Sequence, residues 1–299
     1  MIHTEEALHK FGEAIRYLPM RLRNAAIRLS DSEKARIEEF RLRAGRGFSV
    51  FSCGEEKIIE NGIVSVEDIV SVLDLATKSS VHTAQKSIRE GFVTVSGGHR
   101  IGICGTGIES GGRLSGLRDF SSVSVRIAKS IPTAAKGIAE ELMEGDRFNN
   151  TLIISPPGHG KTTTLRDLVR RLSDSGKRIS LVDERGEVAA KYKGTPQFDV
   201  GKCTDVIDGI DKAEGALLML RAMSPEIIAL DEITEESDCD AIFHIMNCGV
   251  GILATAHGES AECLFSRPVY NRLQRAGVFK RLVVLKRHGE SFEREIRKI

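Results

Sequence analysis

Residues 155–167, SPPGHGKTTTLRD, combine two glycines with a lysine and three threonines. They match the phosphate-binding pattern G-x-x-x-x-G-K-S/T except at its first position, where Ser155 replaces glycine. A residue before proline is restricted to extended backbone, so Ser155, before Pro156, is expected to continue a strand, where glycine is not needed. The pattern therefore predicts a P-loop, a loop that holds the phosphates of a nucleotide.

The phosphate-facing donors of this loop are expected after the prolines, because proline has no backbone N–H group. A helix that begins here would direct its N-terminus at the anion. Lys161 is predicted to reach the β- and γ-phosphates, and the Thr162 hydroxyl to bind Mg²⁺. His159 is expected to act mainly through its backbone N–H. The residues predicted to hold the nucleotide are Gly158, His159, Gly160, Lys161, Thr162 and Thr163.

Carboxylates follow two further apolar runs. Residues 225–234, PEIIALDEIT, contain Asp231 and Glu232, and residues 178–187, RISLVDERGE, contain Glu184. An aspartate after a buried strand can hold Mg²⁺, and a nearby glutamate can orient or deprotonate the attacking water. Asp231 is therefore predicted as an Mg²⁺ ligand, and Glu232 and Glu184 compete for activation of water. The ordinary alternatives are acidic residues that open a helix and a surface Glu–Arg network.

A third apolar run, residues 251–260, GILATAHGES, ends with Thr255 and His257. A hydroxyl and an imidazole at this point can sense the γ-phosphate and couple its loss to movement, although a lone histidine is more often structural. Apolar runs of this kind are typical of strands buried on both faces of a parallel sheet, and ligands bind such sheets at the carboxyl ends of the strands. The sequence thus predicts one nucleotide site assembled from several strand ends.

The elements that must position these residues lie in the second half of the chain, where strands alternate with helices from residue 151 onward. We predict an α/β fold with two domains. A RecA-like P-loop NTPase domain with a mainly parallel sheet occupies residues 146–299, and a smaller mixed α/β domain occupies residues 1–145. A helix over residues 133–146 is predicted at the junction.

The first domain is predicted to contain both helices and strands, with turns at the glycine pairs between strands. The helix over residues 66–78 is expected to begin with a capping box made by Ser65 and Asp68. The predicted helices are residues 4–17 and 66–78, and the predicted strands are residues 39–43, 48–52, 92–95, 100–104 and 123–127.

Composition and charge exclude several classes of partner and cellular location. The net charge of +1 provides no overall basic field of the kind that favours nucleic acids, so no nucleic-acid partner is expected. The amphipathic, acidic N-terminus does not resemble a signal peptide, and no apolar run reaches the ~20 residues that a membrane span needs. The six cysteines are scattered without a C-x-x-C pair. We therefore expect a cytoplasmic protein with reduced thiols, which associates with membranes only peripherally.

The order of these motifs resembles the secretion-type ATPases, which power type II and type IV secretion and pilus retraction. The segments LRAMSPEIIALDEI and ATAHG are similar to their Walker B and histidine-box regions. In that family, arginines of the N-terminal domain reach the nucleotide at the domain interface, and Arg100 and Arg126 stand where such arginines are expected. The resemblance implies ATP and Mg²⁺ as ligands and catalytic roles for both arginines. A salt bridge inside the N-terminal domain is the alternative for Arg126.

Within this superfamily, the closer resemblance is to the stage III sporulation protein AA family. The segments IEEFRLRAGRGFSV, REGFVTVSGGHRIGICG, SPPGHGKTTTLRD and SLVDERGE resemble its characteristic segments, and the similarity covers nearly the whole chain. This implies a hexameric mother-cell ATPase in the cytoplasm. It would work with membrane-embedded partners of a secretion-like channel to the forespore during endospore formation. Secretion ATPases usually carry Gly-Glu where this chain has Asp231 and Glu232, which leaves the catalytic glutamate open.

Two other functions are compatible with the same motifs. An AAA-type or nucleic-acid-stimulated motor would share the P-loop and the LDE segment, although the chain after His257 shows no clear helical lid. An assembly module that binds ATP and hydrolyses it slowly would carry the same ligands for binding. Strong, salt-sensitive stimulation by DNA would favour the first, and absence of single-turnover hydrolysis would favour the second.

Overall fold

The computed structural model describes residues 2–77, 91–288 and 291–299. The chain divides into two compact units. The first comprises Met1–Lys129 with Tyr192–Gln197, and the second comprises Ser130–Lys191 with Phe198–Ile299.

The first unit contains a six-stranded antiparallel sheet in the order β3-β2-β1-β6-β5-β4. Its strands are β1 Ile37–Arg43, β2 Gly47–Ser52, β3 Glu55–Ile63, β4 Phe92–Thr94, β5 Arg100–Ser110 and β6 Arg113–Arg126. Its helices are α1 Ile2–Ala14, which continues into the 3-10 turn Ile15–Tyr17, α2 Met20–Ile27, α3 Asp31–Arg36 and α4 Val66–Thr77. Apolar side chains of the sheet and of the helices form one core.

Most elements predicted for this unit are confirmed. The start of α4 is the predicted capping box, since the Asp68 N–H donates to Ser65 Oγ at 3.2 Å and the Ser65 N–H donates to Asp68 Oδ2 at 3.0 Å. The last residue of the predicted helix 66–78 lies outside the described residues. Strand β3 was not predicted, because its sequence EEKIIENGI is charged and lacks regular alternation. It forms because Cys53 and Gly54 both adopt positive φ and make a two-residue turn that pairs β3 with β2.

His99 is a buried polar residue of the first unit, with no exposed surface. Its Nδ1 accepts the Ala128 N–H at 3.1 Å, and its Nε2 lies 3.6 Å from a Glu13 carboxylate oxygen. Burial and the nearby Lys10 ammonium lower the pKa of His99 to about 4, although Glu13 opposes the shift. The folded chain therefore holds this imidazole neutral at physiological pH.

The neutral state of His99 predicts a loss of stability in acid. In the unfolded chain this histidine takes up a proton below about pH 6.5, whereas in the folded chain it does so only near pH 4. Its contribution to the free energy of unfolding is therefore complete above about pH 6.5 and is lost as the pH falls toward 4. Between pH 7 and pH 5, the parent is expected to lose about 1–2 kcal/mol more of its free energy of unfolding than His99→Asn, in which the side chain does not titrate. Thermal unfolding followed by circular dichroism at both pH values would measure the difference. Equal losses in the two proteins would contradict the role of His99.

The second unit contains a seven-stranded sheet in the order β11-β10-β12-β13-β9-β14-β15. All neighbours pair in parallel except β14 and β15, so the predicted mainly parallel sheet is confirmed. Its strands are β9 Thr151–Ser155, β10 Ile179–Asp183, β11 Thr204–Asp208, β12 Ile227–Leu230, β13 Gly251–His257, β14 Arg281–His288 and β15 Ser291–Lys298. A short hairpin, β7 Met143–Glu144 and β8 Arg147–Phe148, precedes them.

The helices of the second unit cover both faces of this sheet. Alternate residues of β9 belong to different cores, because Leu152 and Ile154 face one helical layer and Ile153 faces the other. The helices are α5 Ile138–Glu141, α6 Lys161–Asp174, α7 Lys212–Ala222, α8 Glu236–Asn247, α9 Ala261–Phe265 and α10 Pro268–Arg275. Every helix in the described part of the chain is too short or too polar to serve as a membrane span.

The boundary between the units differs from the one predicted near residue 145. Residues 130–145 belong to the second unit, because Ile138 and Leu142 are buried in its core and the Ala135 N–H donates to the buried Asp167 carboxylate at 2.8 Å. The helix predicted over residues 133–146 is observed only as α5. Gly137 precedes α5 in a left-handed conformation, and the chain turns into the β7–β8 hairpin after it.

Candidate functional site

The segment between β9 and α6 has the backbone of a phosphate-binding loop. Ser155 is the buried last residue of β9, so the serine continues the strand as predicted. Gly158 and Gly160 have φ angles of +75° and +85°, a region that favours glycine, and α6 begins at Lys161. The loop therefore ends with the N-terminus of a 14-residue helix, where backbone N–H groups attract anions. The His159 N–H makes a long contact of 3.4 Å with the Pro156 carbonyl oxygen.

Lys161 lies at one end of a chain of polar contacts that joins three elements. Its Nζ is 2.7 Å from His257 Nδ1 at the end of β13, and His257 Nε2 is 3.4 Å from Glu232 Oε1 after β12. An ammonium group only donates, so Nδ1 accepts and Nε2 carries the proton that faces Glu232. Burial lowers the pKa of Lys161, and Glu232, Asp231 and Glu187 oppose that shift. The P-loop lysine is therefore partly desolvated and surrounded by carboxylates.

Thr255 of β13 fixes the backbone that carries the two carboxylates. Its hydroxyl accepts the Glu232 N–H at 3.0 Å and donates to Asp231 Oδ1 at 3.3 Å. The Ile233 N–H donates to the Thr255 carbonyl oxygen at 2.9 Å. Glu232 adopts a φ of +44°, which few residues other than glycine populate. Such strain persists only where the surroundings hold it, so β13 determines where the Glu232 side chain lies.

Asp231 is a half-buried carboxylate with further carboxylates beside it. Burial, followed by the charges of Asp183, Glu187 and Glu232, raises the pKa of Asp231 to about 7. A carboxylate in this setting is stabilised by a nearby cation, and oxygen ligands are those that Mg²⁺ prefers. The Asp231 carboxylate therefore has the chemistry of an Mg²⁺ ligand.

The two candidate glutamates have different partners. Glu184 Oε2 accepts a hydrogen bond from Lys212 Nζ of α7 at 2.6 Å. Glu232 instead lies in the polar chain of Lys161 and His257, and its other oxygen is 3.9 Å from Arg185 Nη1. The structure thus brings Glu232 next to the P-loop lysine and pairs Glu184 with a lysine of another helix.

Two residues near this site were not identified from the sequence. Glu187 is one of the carboxylates whose charges act on Lys161 and Asp231. Arg166 of α6 is buried, and it donates to the carbonyl oxygens of Val188 at 2.5 Å and of Glu187 at 2.8 Å. Burial lowers the pKa of Arg166 to about 10. No spacing in the sequence identifies either residue, because their position depends on how the loop after β10 folds back.

Asp183 completes the support of that loop. Its buried carboxylate accepts the N–H groups of Glu187 at 2.8 Å, Val188 at 3.0 Å and Ala189 at 2.8 Å. Burial raises the pKa of Asp183 although these hydrogen bonds oppose the shift. Asp183 binds the donors of the loop and Arg166 binds its acceptors, so the loop that carries Glu184, Arg185 and Glu187 is tied to the helix of the P-loop.

The two predicted arginines lie in the first unit and are neighbours there. Arg100 of β5 and Arg126 of β6 stand directly opposite each other in the antiparallel pair. The Arg100 guanidinium lies 3.4 Å from the centre of the Phe92 ring. Arg126 Nε is 3.3 Å from Glu39 Oε1, yet 60% of the Arg126 side chain is exposed. The salt bridge foreseen as the alternative for Arg126 is thus present.

The fold is shared with an ATPase and a pilus retraction motor of known structure. The chain superimposes on the ATPase DotB of Legionella pneumophila with a TM-score of 0.61 and 14% identity, covering 94% of this chain and 80% of that one. It superimposes on the pilus retraction motor PilT with a TM-score of 0.56 and 15% identity, covering 88% and 79%. At these identities the similarity concerns the fold alone.

Sequence comparison defines the family. The family described as "Sporulation stage III, protein AA" matches residues 9–297. Stage III sporulation protein AA of Bacillus subtilis (strain 168) is 37% identical over 285 residues, which cover 92% of this chain and 91% of that protein. The chain therefore belongs to the sporulation stage III protein AA family.

Proposed function

We propose that this protein is an Mg²⁺-dependent ATPase that powers or assembles a secretion-like channel between mother cell and forespore. The observation that supports it best is the chain of contacts from Lys161 through His257 to Glu232, beside Asp231, at the carboxyl edge of a parallel sheet. A P-loop lysine, an aspartate and a glutamate at one edge are the groups that phosphoryl transfer to water requires. The family and the fold support the link to sporulation and to secretion motors.

Each residue has a distinct role in this proposal. Lys161 and the N–H groups after Gly158 bind the phosphates, and Glu232 orients and deprotonates the attacking water. Thr162 and Asp231 would hold Mg²⁺, which would supply positive charge to the phosphate oxygens. His257 links Glu232 to Lys161, so the positions of the glutamate and of the phosphate-binding lysine depend on each other.

The metal dependence provides the direct test. Asp231→Asn is expected to lower Mg²⁺-dependent phosphate release from ATP by about 10²-fold or more, because the proposed metal ligand loses its charge. Asp208→Asn is the matched control, since Asp208 stands at the carboxyl end of β11, which is separated from β12 by β10, and pairs with Lys191 at 2.8 Å. Phosphate release would be measured with Mg²⁺ and with EDTA. Hydrolysis that continues unchanged in EDTA, or in Asp231→Asn, would contradict the proposal.

We propose further that the protein acts as a hexamer, in which Arg100 and Arg126 serve the nucleotide bound by a neighbouring copy. A mixture of two inactive variants, Lys161→Ala and Arg126→Ala, would then recover activity, because some sites combine an intact P-loop with an intact arginine. Arg118→Ala is the control, since Arg118 is an exposed arginine of β6 that pairs with Asp119 at 3.1 Å. Persistent inactivity of the mixture, with a monomeric mass in Mg-ATP, would refute action between copies.

The cellular role can be tested in the organism of the curated relative. In Bacillus subtilis cells that lack their own stage III sporulation protein AA, the parent chain is expected to restore sporulation and Lys161→Ala is not. Strong, salt-sensitive stimulation of hydrolysis by DNA would instead support a nucleic-acid-stimulated motor. Binding of ATP without single-turnover hydrolysis by the assembled oligomer would support an assembly module.

A further inference from the structure

A cavity of about 510 Å³ adjoins the P-loop in the second unit. Gly158 and Gly160 of the loop and Thr163 of α6 form one side of it. The segment before α5 contributes Ile131, Thr133 and Ala134, and the β14–β15 hairpin contributes Leu285, Glu293 and Arg294. Its volume is in the range of pockets that hold small ligands. A nucleotide whose phosphates lie on the loop can extend directly into this cavity.

The walls of the cavity suit a flat, weakly polar ring. Leu285 is buried, whereas the Ile131 side chain is 43% exposed and lies open beside the phosphate-binding loop. Large apolar side chains bordering a few polar groups are typical of sites for planar ligands. The phosphates would be held by the loop, so the apolar part is available for the nucleobase.

Arg294 lies on the side of the sheet that faces α6. It stands directly opposite Leu285 in the antiparallel β14–β15 pair, and directly opposed residues project from the same face. Leu285 packs in the core that contains Leu165 of α6. Arg294 Nη2 also lies 3.7 Å from the position that a Cβ atom on Gly137 would occupy. The guanidinium is therefore at the rim of the cavity, above the turn that begins α5.

We propose that this cavity seats the nucleobase and that Arg294 gives the site a preference for purines. The inference rests on the proposed function and adds to it the choice of base. A guanidinium group only donates hydrogen bonds, and adenine and guanine share the acceptor N7, which pyrimidines lack. A purine also covers more of the apolar wall than a pyrimidine does. The C-terminal hairpin thus selects the base, and the P-loop binds the phosphates.

Calorimetric titration with ADP, CDP and pyrophosphate, each in the presence of Mg²⁺, measures separately how much the base and the phosphates contribute to affinity. The parent is expected to bind ADP about tenfold or more tightly than CDP, as one hydrogen bond to a charged donor can provide. In Arg294→Ala this preference is expected to fall to about threefold or less, with pyrophosphate affinity within about twofold of the parent. Arg297→Ala is the control, because Arg297 is on the same strand but pairs with Glu295 at 2.6 Å and does not line the cavity.

A second variant tests the cavity without Arg294. Ala134→Phe would fill the space, so it is expected to weaken ADP binding at least about tenfold and to leave pyrophosphate binding unchanged. An unchanged ADP-to-CDP ratio in Arg294→Ala would overturn the role of Arg294. Unchanged ADP binding in Ala134→Phe, or an equal loss of ADP and pyrophosphate, would overturn the base site. A parent that binds neither ADP nor pyrophosphate would refute the proposed function itself.

Discussion

Replacement of Lys161 by alanine is expected to lower nucleotide affinity at least about 100-fold and to reduce ATP hydrolysis to background. The ammonium group lies at the start of α6, is partly desolvated, and has Glu232, Asp231 and Glu187 around it. Without it, the phosphates would meet three carboxylates with no lysine between them. Titration with ADP and measurement of phosphate release from ATP would give the two effects separately.

Lys212→Ala is the matched control for this prediction. Lys212 is 7% exposed and Lys161 is 8% exposed, so both variants remove a buried lysine from the same unit. Lys212 pairs with Glu184 and does not contact the P-loop lysine's partners His257 and Glu232 in the described structure. It is expected to keep ADP affinity within about threefold of the parent, because a charge outside the phosphate site adds little to binding. Equal ADP affinity in the parent and in Lys161→Ala would contradict the P-loop assignment.

Glu232→Gln is expected to bind ATP as the parent does and to hydrolyse it about 10²–10³-fold more slowly, since general-base catalysis contributes effects of this size. The Glu232 carboxylate faces the His257 Nε2 proton and lies near Arg185, so it is held beside the phosphate-binding lysine. Glu184→Gln is expected to stay within about threefold of the parent in hydrolysis, because Glu184 is engaged by Lys212 and lies outside the chain of contacts that joins Lys161, His257 and Glu232.

A single-turnover experiment separates these two variants. Each protein is loaded with ATP, Mg²⁺ is added, and phosphate is measured over time, so that binding and chemistry are observed independently. If Glu232→Gln hydrolysed ATP at the rate of the parent and Glu184→Gln hydrolysed it much more slowly, Glu184 would be the residue that activates water. That result would also require the Lys212–Glu184 pair to break when nucleotide binds.

Local features of the chain could be predicted where the physical cause is itself local. The two prolines restrict Ser155 to extended backbone, and it is found at the end of β9. The apolar runs before Asp183, Asp231 and His257 are strands of the parallel sheet, since continuous apolar residues can be buried on both faces. The prediction of a helix over residues 133–146 was wrong over most of its length. The apolar spacing there is helical, but Gly137 adopts a left-handed conformation that interrupts the helical backbone.

The sequence by itself determined the strand–loop–helix backbone around residues 155–162, the parallel sheet and the edge at which the polar residues collect, because strand pattern, turn residues and helix start depend on nearby positions. It left Glu184 and Glu232 equivalent, since both follow buried strands. Only the tertiary structure distinguished them: β13 lies between β12 and β9, so His257 can contact both Lys161 and Glu232. Glu184 follows β10, where Lys212 of α7 pairs with it. The partners of a carboxylate depend on strand order and on helix packing, which residues distant in sequence decide together.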